Sequence, residues 1–463
     1  MTAFGTYLNP FAANSFWNCR PISPVLGTWE IPATFKPRGS TYKCFPLIAG
    51  GAWSTGVYKA LPSHPARTIY PPAGTAGVYD SDTDTWRPSI TIPHWPDEAI
   101  GAVGSDGHCD VIDEAAGVVH SFWILKPDAT GRLTARQYGW SPLKGQGWGD
   151  PAHFYQGARA TGVPTCAGMI RKHEVSDGKS LFEHALAMSL DQTGLAASPA
   201  YIAPATLSDW NPWVNTGNIP QGALLMLPAG YDTARLARWP LLKKVAETLK
   251  VYGARVVDRN EYTSFAIYVE NGSGWKMTDM PWDNDMVAEL EVIRSQLRQV
   301  VSHGGYIDGN GQPRVPPPRE NILSMRGPWY NTDACVNQDI YDSLNQRVQL
   351  PVVSKWTRWV NANSTGFKVP EFKPKAGNYY KMVVDSDCGA SFNVVLKRMV
   401  DGKAVEIYNS GLRLHNSLTF FQWPENVWSE LYVSKSVGSL AGYIRPRIVK
   451  IDEAEFRANR NTP

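Results

Sequence analysis

Hydrophobic and polar residues alternate in short runs along most of the chain. The clearest runs, over residues 117–125, 223–227 and 263–270, are rich in aliphatic and aromatic side chains. Residues 263–270 alternate with the period of two of a half-buried β-strand, whereas the continuous apolar run over residues 223–227 predicts a buried strand. Near the C-terminus, Asp401-Gly402 joins two further runs with the residues that a two-residue β-hairpin turn requires. The pattern therefore predicts a mainly β protein.

Two segments have helical spacing instead. Apolar residues lie three or four apart between Pro240 and Tyr252, and Gly253 follows where a helix would end. The same spacing predicts a second helix over residues 285–301. Proline and glycine recur through residues 1–100, which excludes long helices there and predicts loops and short strands.

The composition divides the chain into three parts. Residues 1–300 are expected to form a β-rich catalytic domain, a β-sandwich or jelly roll with a few helices and a closing helix at its end. Residues 301–350 are rich in glycine and proline, with three consecutive prolines from Pro316 to Pro318, and predict a connector. Residues 351–463 contain the hairpin and predict a C-terminal β-sandwich that binds carbohydrate or mediates oligomerisation.

Bulk properties restrict the class of function. The net charge of +3 is small for 463 residues, so nucleic acid is not predicted as a partner. No apolar run reaches the roughly 20 residues of a membrane helix, and the N-terminus has no signal-peptide pattern, so no membrane partner is predicted. The 18 Trp and 20 Tyr can fill a β core, but their flat faces also stack on sugars. These features favour a protein that handles glycans.

No cofactor or metal site is predicted. The six cysteines lack zinc-ligand spacing, and free thiols are favoured over a disulfide between Cys19 and Cys44. The acidic run from Tyr79 to Asp84 lacks the glycine and the distal glutamate of an EF-hand, so it is predicted to be a polar turn.

Three polar residues recur at alternate positions before a predicted strand. On one strand, Asp106, His108 and Asp110 would project from the same face. A carboxylate beside an imidazole orients the ring and raises its basicity, as a general base requires. His108 is therefore a candidate base with Asp106 or Asp110 as its partner. The alternative is a satisfied polar cluster at the start of a strand.

Arg171 and His184 form a second candidate pair. The fixed fork of donors on Arg171 suits a substrate carboxylate or hydroxyl groups. His184 precedes an apolar run and would point from the edge of a core into a cleft, where it could act as the base. The alternatives are a surface ion pair for Arg171 and a core histidine with a backbone partner for His184.

Aromatic residues near glycines follow the strand at 117–125. Trp140, Trp148 and Tyr155 are predicted to bind substrate, because a neighbouring glycine leaves one ring face open for stacking on a sugar. Arg159, in the same segment, is also predicted to bind substrate. The alternative is a loop whose rings are turned inwards.

Several short motifs occur once each, in a fixed order, over about residues 9–275. They are Ser15-Phe-Trp-Asn18, Asp106-Gly-His108, Gly162-Val-Pro, Ala167-Gly-Met-Ile-Arg171 and His184-Ala-Leu. This set resembles a family of bacterial extracellular β-rich proteins with the pattern SPWN, DGH, AGLP, GLIR and IxHAL. Ser-Phe replaces the Ser-Pro of that pattern. The resemblance implies Asp106, His108, Arg171 and His184 as site residues without giving them roles.

These features together predict a polysaccharide depolymerase, either a lyase or a glycoside hydrolase. The appended sandwich and the missing signal peptide resemble a phage tail spike, which implies a virion or extracellular location and a homotrimer. The alternative is a glycan-binding receptor-binding protein or adhesin without catalytic activity. The catalytic hypothesis requires Asp106 and His108 to meet Arg171 and His184 in one groove.

Overall fold

Strands account for most of the regular structure. The computed structural model describes residues 3–275, 283–315, 321–362, 367 and 373–459. With 35% strand and 10% helix, the predicted mainly β fold is confirmed. The first 100 residues form strands of only two to five residues separated by loops, in agreement with their proline and glycine content.

The chain forms two compact units. The first comprises Met1–Tyr79, Trp86–Gly149 and Tyr155–Pro316, and the second comprises Asp80–Thr85, Asp150–Phe154 and Pro317–Pro463. The predicted connector over 301–350 is therefore not a separate segment, because the units divide at its prolines and its later part forms strands of the second unit. Those strands are two to four residues long, too short to give a clear alternating pattern in the sequence.

The strands up to residue 307 are short and numerous. They are β1 Arg20–Pro21, β2 Val25–Leu26, β3 Thr34–Phe35, β4 Lys43–Cys44, β5 Leu47–Ala49, β6 Gly56–Ala60, β7 Arg67–Ile69, β8 Val78–Asp80, β9 Thr85–Arg87, β10 Ile90–Ile92, β11 Cys109–Asp113, β12 Val118–Trp123, β13 Lys126–Pro127, β14 Leu133–Thr134, β15 Gln137–Pro142, β16 Leu186–Asp191, β17 Leu224–Met226, β18 Ala254–Asn260, β19 Phe265–Tyr268, β20 Arg298–Ser302 and β21 Tyr306–Ile307. The runs predicted around 117–125, 223–227 and 263–270 are β12, β17 and β19.

Two large sheets pack face to face in the first unit. One has the strand order β6-β11-β12-β15-β8-β9, and the other has the order β2-β20-β17-β18-β16-β19-β5. Both are mixed, because β6 runs parallel to β11, β16 to β18, and β19 to β5. Ile112 on β11 and Val257 on β18 belong to one buried cluster, which places the inner core between the sheets. This stacking is the sandwich that the alternating strands predicted.

Two helices of the first unit pack on one face of the seven-stranded sheet, and a third lies in the second unit. The α-helices of the described residues are α1 Pro240–Val251, α2 Asn284–Gln296 and α3 Glu453–Asn459, and the short 3-10 helices are Lys172–Glu174, Pro212–Val214 and Ala234–Leu236. Leu249 of α1 and Leu290 of α2 share a buried cluster with Leu225 of β17. No helix in the described part of the chain is long and apolar enough to cross a membrane.

The two predicted helices differ in how well their ends were located. The segment α1 begins at Pro240 as predicted, and Gly253 has the positive φ of +74° that favours glycine after a helix. The helix predicted over 285–301 ends at Gln296, because Leu297 is already extended and the next five residues form β20. The apolar residues of β20 continue the helical spacing by chance, so the prediction was wrong for that last turn.

The second unit is a sandwich of antiparallel pairs. Its strands are β22 Trp329–Asn331, β23 Val336–Gln338, β24 Tyr341–Asp342, β25 Arg347–Leu350, β26 Thr357–Asn361, β27 Tyr379–Ser386, β28 Ala390–Val400, β29 Lys403–Asn409, β30 Leu418–Gln422, β31 Trp428–Lys435 and β32 Gly442–Ile451. The sheets have the orders β23-β22-β26-β31-β28-β29 and β24-β25-β32-β27-β30, and Phe392 and Ile448, one from each, lie in one buried cluster. The predicted hairpin is confirmed: Asp401 and Gly402 both have positive φ between β28 and β29.

Candidate functional site

The predicted site residues do not come together in one groove. Arg171 and His184 line a cavity whose described lining includes neither Asp106 nor His108. Asp106 and His108 lie instead near Arg159, in a second group of ionisable residues. The prediction of a single shared groove was therefore wrong, and the two groups are described separately.

Asp110 holds a loop in place and does not face a cleft. It is fully buried, and its carboxylate accepts hydrogen bonds from Thr165 Oγ1 at 2.6 Å and the backbone N–H of Cys166 at 2.7 Å. The strand begins only at Cys109, and Gly107 has a positive φ of +46° just before it. The turn at Gly107 breaks the period of two, so the predicted common face of Asp106, His108 and Asp110 does not form.

The predicted sugar platforms Trp140 and Trp148 are buried. Trp148 is only 2% exposed and stacks on Trp17 with ring centroids 5.0 Å apart and an interplanar angle of 5°. Trp140 is 4% exposed within β15. These rings fill the core, which corrects the prediction that they bind substrate. Tyr155 is half-buried and its hydroxyl accepts a hydrogen bond from Gln137 at 2.8 Å.

Three aspartates from distant parts of the chain form what we call the acidic cluster: Asp106, Asp209 and Asp258. Each is partly exposed, and the charges of Asp209 and Asp106 both act on Asp258. Asp106 lies in the turn before β11, Asp209 in the loop after Pro204, and Asp258 on β18. Asp258 lies on the central strand of the seven-stranded sheet, and the loops that carry Asp106 and Asp209 approach it there.

Each aspartate of the acidic cluster has its own hydrogen-bond donor. The indole N–H of Trp123 donates to Asp106 at 3.3 Å, and Arg159 donates to Asp258 at 3.3 Å. The side chain of Gln221 donates to Asp209. The carboxylates are therefore held at fixed positions while part of their surface stays accessible.

Burial and mutual repulsion disfavour full ionisation of the acidic cluster. The pKa of Asp258 is raised to about 7, first by burial and then by the charge of Asp209, against the opposing effect of Arg159. The pKa of Asp209 is also raised by burial, while the hydrogen bond from Gln221 and the charge of Arg259 oppose this shift. Near neutral pH these two carboxyls therefore retain a proton between them.

Arg159 and His108 lie behind the acidic cluster with unused hydrogen-bonding atoms. Arg159 is 1% exposed and its guanidinium stacks 3.6 Å from the ring centre of Tyr268. Within the described residues, its Nε and one terminal nitrogen have no hydrogen-bond partner, nor has Nδ1 of His108. Burial, and next the charge of Arg159, lower the pKa of His108 to about 3 and keep its ring neutral. A buried donor without a partner is a position where water or a ligand atom can bind.

Two exposed tryptophans follow Asp209 of the acidic cluster in the chain. Trp210 and Trp213 are 80% and 69% exposed, and their rings meet edge to face with centroids 6.0 Å apart. Asn211 between them accepts hydrogen bonds from Arg259, through its side chain at 2.5 Å and its carbonyl at 3.3 Å. Arg259 directly follows Asp258, so the aromatic loop is fastened beside the cluster. Exposed aromatic faces of this kind suit sugar rings.

Asp209, Trp210 and Trp213 were not predicted as site residues. Two other carboxylates of the first unit have different partners: Asp113 meets His94 and caps its turn, and Glu114 pairs with Lys59. The run Asp209-Trp-Asn-Pro-Trp213 is the one local signal that could have drawn attention to this loop.

A cavity of about 410 Å³ in the first unit contains the other candidate residues. Arg171 is 3% exposed and donates to Glu270 through Nε at 2.8 Å and to the carbonyl of Tyr7 at 2.9 Å. His184 meets Glu174 at 3.2 Å. Although burial lowers the pKa of His184, the charge of Glu174 raises it overall. These ion pairs stabilise the walls of what we call the Arg171 cavity.

The described residues contain no group of three or more His, Cys, Asp or Glu side chains placed to hold a metal ion. The six cysteines are free thiols; Cys19 is buried, Cys44 is half-buried, and the two are not bonded to each other. The favoured prediction of free thiols is confirmed by these side chains.

Comparison with known proteins gives little further guidance. No protein-family model matches the chain, and no curated protein matches its sequence. One structural match is the crystal structure of accessory secretory protein 1, 2 and 3 in Streptococcus pneumoniae, at 12% identity and a TM-score of 0.17. That match covers 23% of this chain and 81% of the other. A likeness at this level carries no argument, so the motif resemblance stays a prediction.

Proposed function

We propose that the protein hydrolyses glycosidic bonds in a polysaccharide, with the acidic cluster as its catalytic centre. The observation that carries this proposal is the meeting of Asp258 and Asp209, two partly exposed carboxyls that cannot both ionise easily, beside an exposed tryptophan pair. Glycoside hydrolysis uses one protonated and one ionised carboxyl on either side of the scissile bond. The aromatic loop would bind the sugar chain next to them.

Asp258 is the proton donor in this mechanism. Its raised pKa keeps the carboxyl protonated in mildly acidic solution, so it can transfer its proton to the glycosidic oxygen as the bond breaks. Asp209 is the partner that would activate the water that bonds to the sugar carbon, or attack that carbon itself. Burial raises the pKa of Asp209 too, but the hydrogen bond from Gln221 and the charge of Arg259 oppose this shift. Arg159 then stabilises the carboxylate that Asp258 becomes, through the hydrogen bond that joins them.

The charge of the acidic cluster favours a hydrolase over a lyase. A lyase acting on uronic acids must neutralise the substrate carboxylate and remove a neighbouring proton. Three aspartates at one site would repel such a substrate. The neutral ring of His108 could accept a proton, but it is only 4% exposed. Neutral polysaccharides are therefore the proposed substrates. This activity does not depend on whether the protein acts in a virion or as a secreted protein.

Incubation with a panel of neutral and uronate polysaccharides tests the proposal. We expect new reducing ends with a neutral polysaccharide and no ultraviolet absorbance from unsaturated uronate. Asp258→Asn should lower kcat by at least about a hundredfold, because the substitution removes the proton donor. Asp97→Asn, which removes an exposed carboxylate elsewhere in the first unit, is the matched control and should retain full activity.

Glycan binding without cleavage is the second candidate function, and the exposed Trp210 and Trp213 favour it independently of the aspartates. Retention of a polysaccharide with unchanged chain length would establish this function and reject the hydrolase. Formation of unsaturated uronate would instead show a lyase and also overturn the proposal.

A further inference from the structure

The Arg171 cavity contains a buried guanidinium with an unused donor. Nε and one terminal nitrogen of Arg171 bind Glu270 and the carbonyl of Tyr7, and the plane stacks on the ring of Tyr7 at 4.7 Å. The other terminal nitrogen has no hydrogen-bond partner within the described residues, although Arg171 is only 3% exposed. An acceptor atom in the cavity would satisfy this nitrogen.

The ion pairs around the cavity leave an excess of positive charge. Three of them join one acid to one base: Asp177 to Lys244, Glu183 to Lys179, and Glu174 to His184 when its ring is protonated, the form that its raised pKa favours. Glu270, by contrast, faces two cations: Arg171 at 2.8 Å and Lys172 at 3.5 Å. One carboxylate cannot balance two positive charges, so an anion is favoured beside Arg171.

The size and the walls of the cavity restrict the anion further. A volume of about 410 Å³ lies in the range of sites for small organic molecules and is larger than a simple inorganic ion needs. Leu8, Pro10 and Tyr252 provide apolar wall, while His173 and Lys179 provide polar groups. The occupant should therefore have an organic body as well as a negative charge.

We propose that the Arg171 cavity is a binding site for a small organic carboxylate, such as a hexuronic acid, with its carboxylate on Arg171. This site is separate from the acidic cluster and has the opposite charge preference. The proposal does not rest on the hydrolase activity. A uronate bound here would be a ligand, and the acidic cluster would still reject it as a substrate.

Calorimetric titration of the full chain with sodium glucuronate and with glucose tests the proposal. The two sugars differ in the carboxylate, so glucuronate should bind at least about tenfold more tightly if a guanidinium recognises that group. Equal binding of both sugars, or no binding of glucuronate at millimolar concentration, would overturn it.

Substitutions in the lining test whether glucuronate binds in the Arg171 cavity. Arg171→Lys keeps the charge but removes the unused donor, and His173→Glu adds a negative charge at an exposed position of the lining. Each should weaken glucuronate binding by about tenfold. Ser302→Glu adds the same charge on β20, outside the cavity lining, and should leave binding unchanged.

Thermal unfolding of each variant separates lost binding from lost folding. Because His173 is exposed, His173→Glu keeps the test decisive even if Arg171→Lys fails to fold. Asp258→Asn should bind glucuronate like the unmodified protein, because Asp258 lies outside the Arg171 cavity. Loss of cleavage with unchanged glucuronate binding, or the reverse, therefore tells which of the two proposals fails. Unchanged binding in His173→Glu would contradict the assignment to this cavity.

Discussion

The surroundings of Asp258 disfavour the charged form of its carboxyl. Its pKa is about 7 in the folded protein, against 3.8 for an ordinary aspartate, because of burial first and the charge of Asp209 second. A raised pKa means that folding favours the protonated form. The resulting contribution to stability is fully present below about pH 4 and is lost as the pH rises through about 7.

Asp258→Asn should therefore change stability in a pH-dependent way. Asparagine keeps the shape and can still accept the hydrogen bond from Arg159, but it carries no charge to bury. We expect the Tm of the variant, measured relative to the unmodified protein, to rise by a few degrees between pH 5 and pH 8. Calorimetry at both pH values checks this, with Asp97→Asn as control. A difference in Tm that is the same at both pH values would contradict the raised pKa.

At the scale of elements, the sequence predicts what is local and misses what depends on pairing. The alternation of apolar residues located β12 and β19, and Pro240 with Gly253 located α1. The parallel pairing of β16 with β18 leaves no mark in either strand, since it joins residues about 70 positions apart. Helical spacing also continued into β20, so spacing alone could not locate the end of α2.

Because the sequence does not show which distant residues meet, it predicted the candidate site only in part. Asp106 and His108 could be selected by their alternate spacing before a predicted strand, and Arg159 by its place in the segment of aromatic residues. The structure brings the three near each other. Asp209 and Asp258 reach them only through the folding of the seven-stranded sheet and its loops. Glycine beside an aromatic residue does not distinguish a buried ring from an exposed one, so Trp140 and Trp148 were misassigned.

The loop that carries Trp210 and Trp213 should affect binding more than chemistry. If these rings stack on sugars, Trp210→Ala should raise KM by about tenfold and change kcat by less than about twofold. Steady-state kinetics on the polysaccharide that the unmodified protein cleaves would measure both constants. Trp356→Ala, which removes a 47% exposed tryptophan from the second unit, is the matched control. A fall in kcat at unchanged KM would show that the ring acts on the reaction and not on binding.

At the scale of the whole molecule, the second unit is not continuous in sequence. Besides residues from Pro317 onward, it includes Asp80–Thr85 and Asp150–Phe154. Arg326 is 3% exposed, donates to the carbonyl of Asp82 at 2.9 Å and stacks 4.2 Å from the ring centre of Phe154. The predicted boundary at residue 351 could not reveal this arrangement, because the two inserted segments are only five or six residues long and lie far away in the sequence.

A fragment of residues 317–463 should therefore be less stable than the same unit in the full chain, because Arg326 loses its partners there. Without Asp82 and Phe154, the buried guanidinium of Arg326 loses a hydrogen bond and a stacking partner, at a cost of about 3 kcal/mol. Arg326→Met should then stabilise the fragment, because it removes a buried charge without these partners, and should destabilise the full chain, where the partners are present. Urea unfolding of the four proteins measures both effects. The same sign of change in fragment and full chain would contradict the support that the inserted segments are expected to give Arg326.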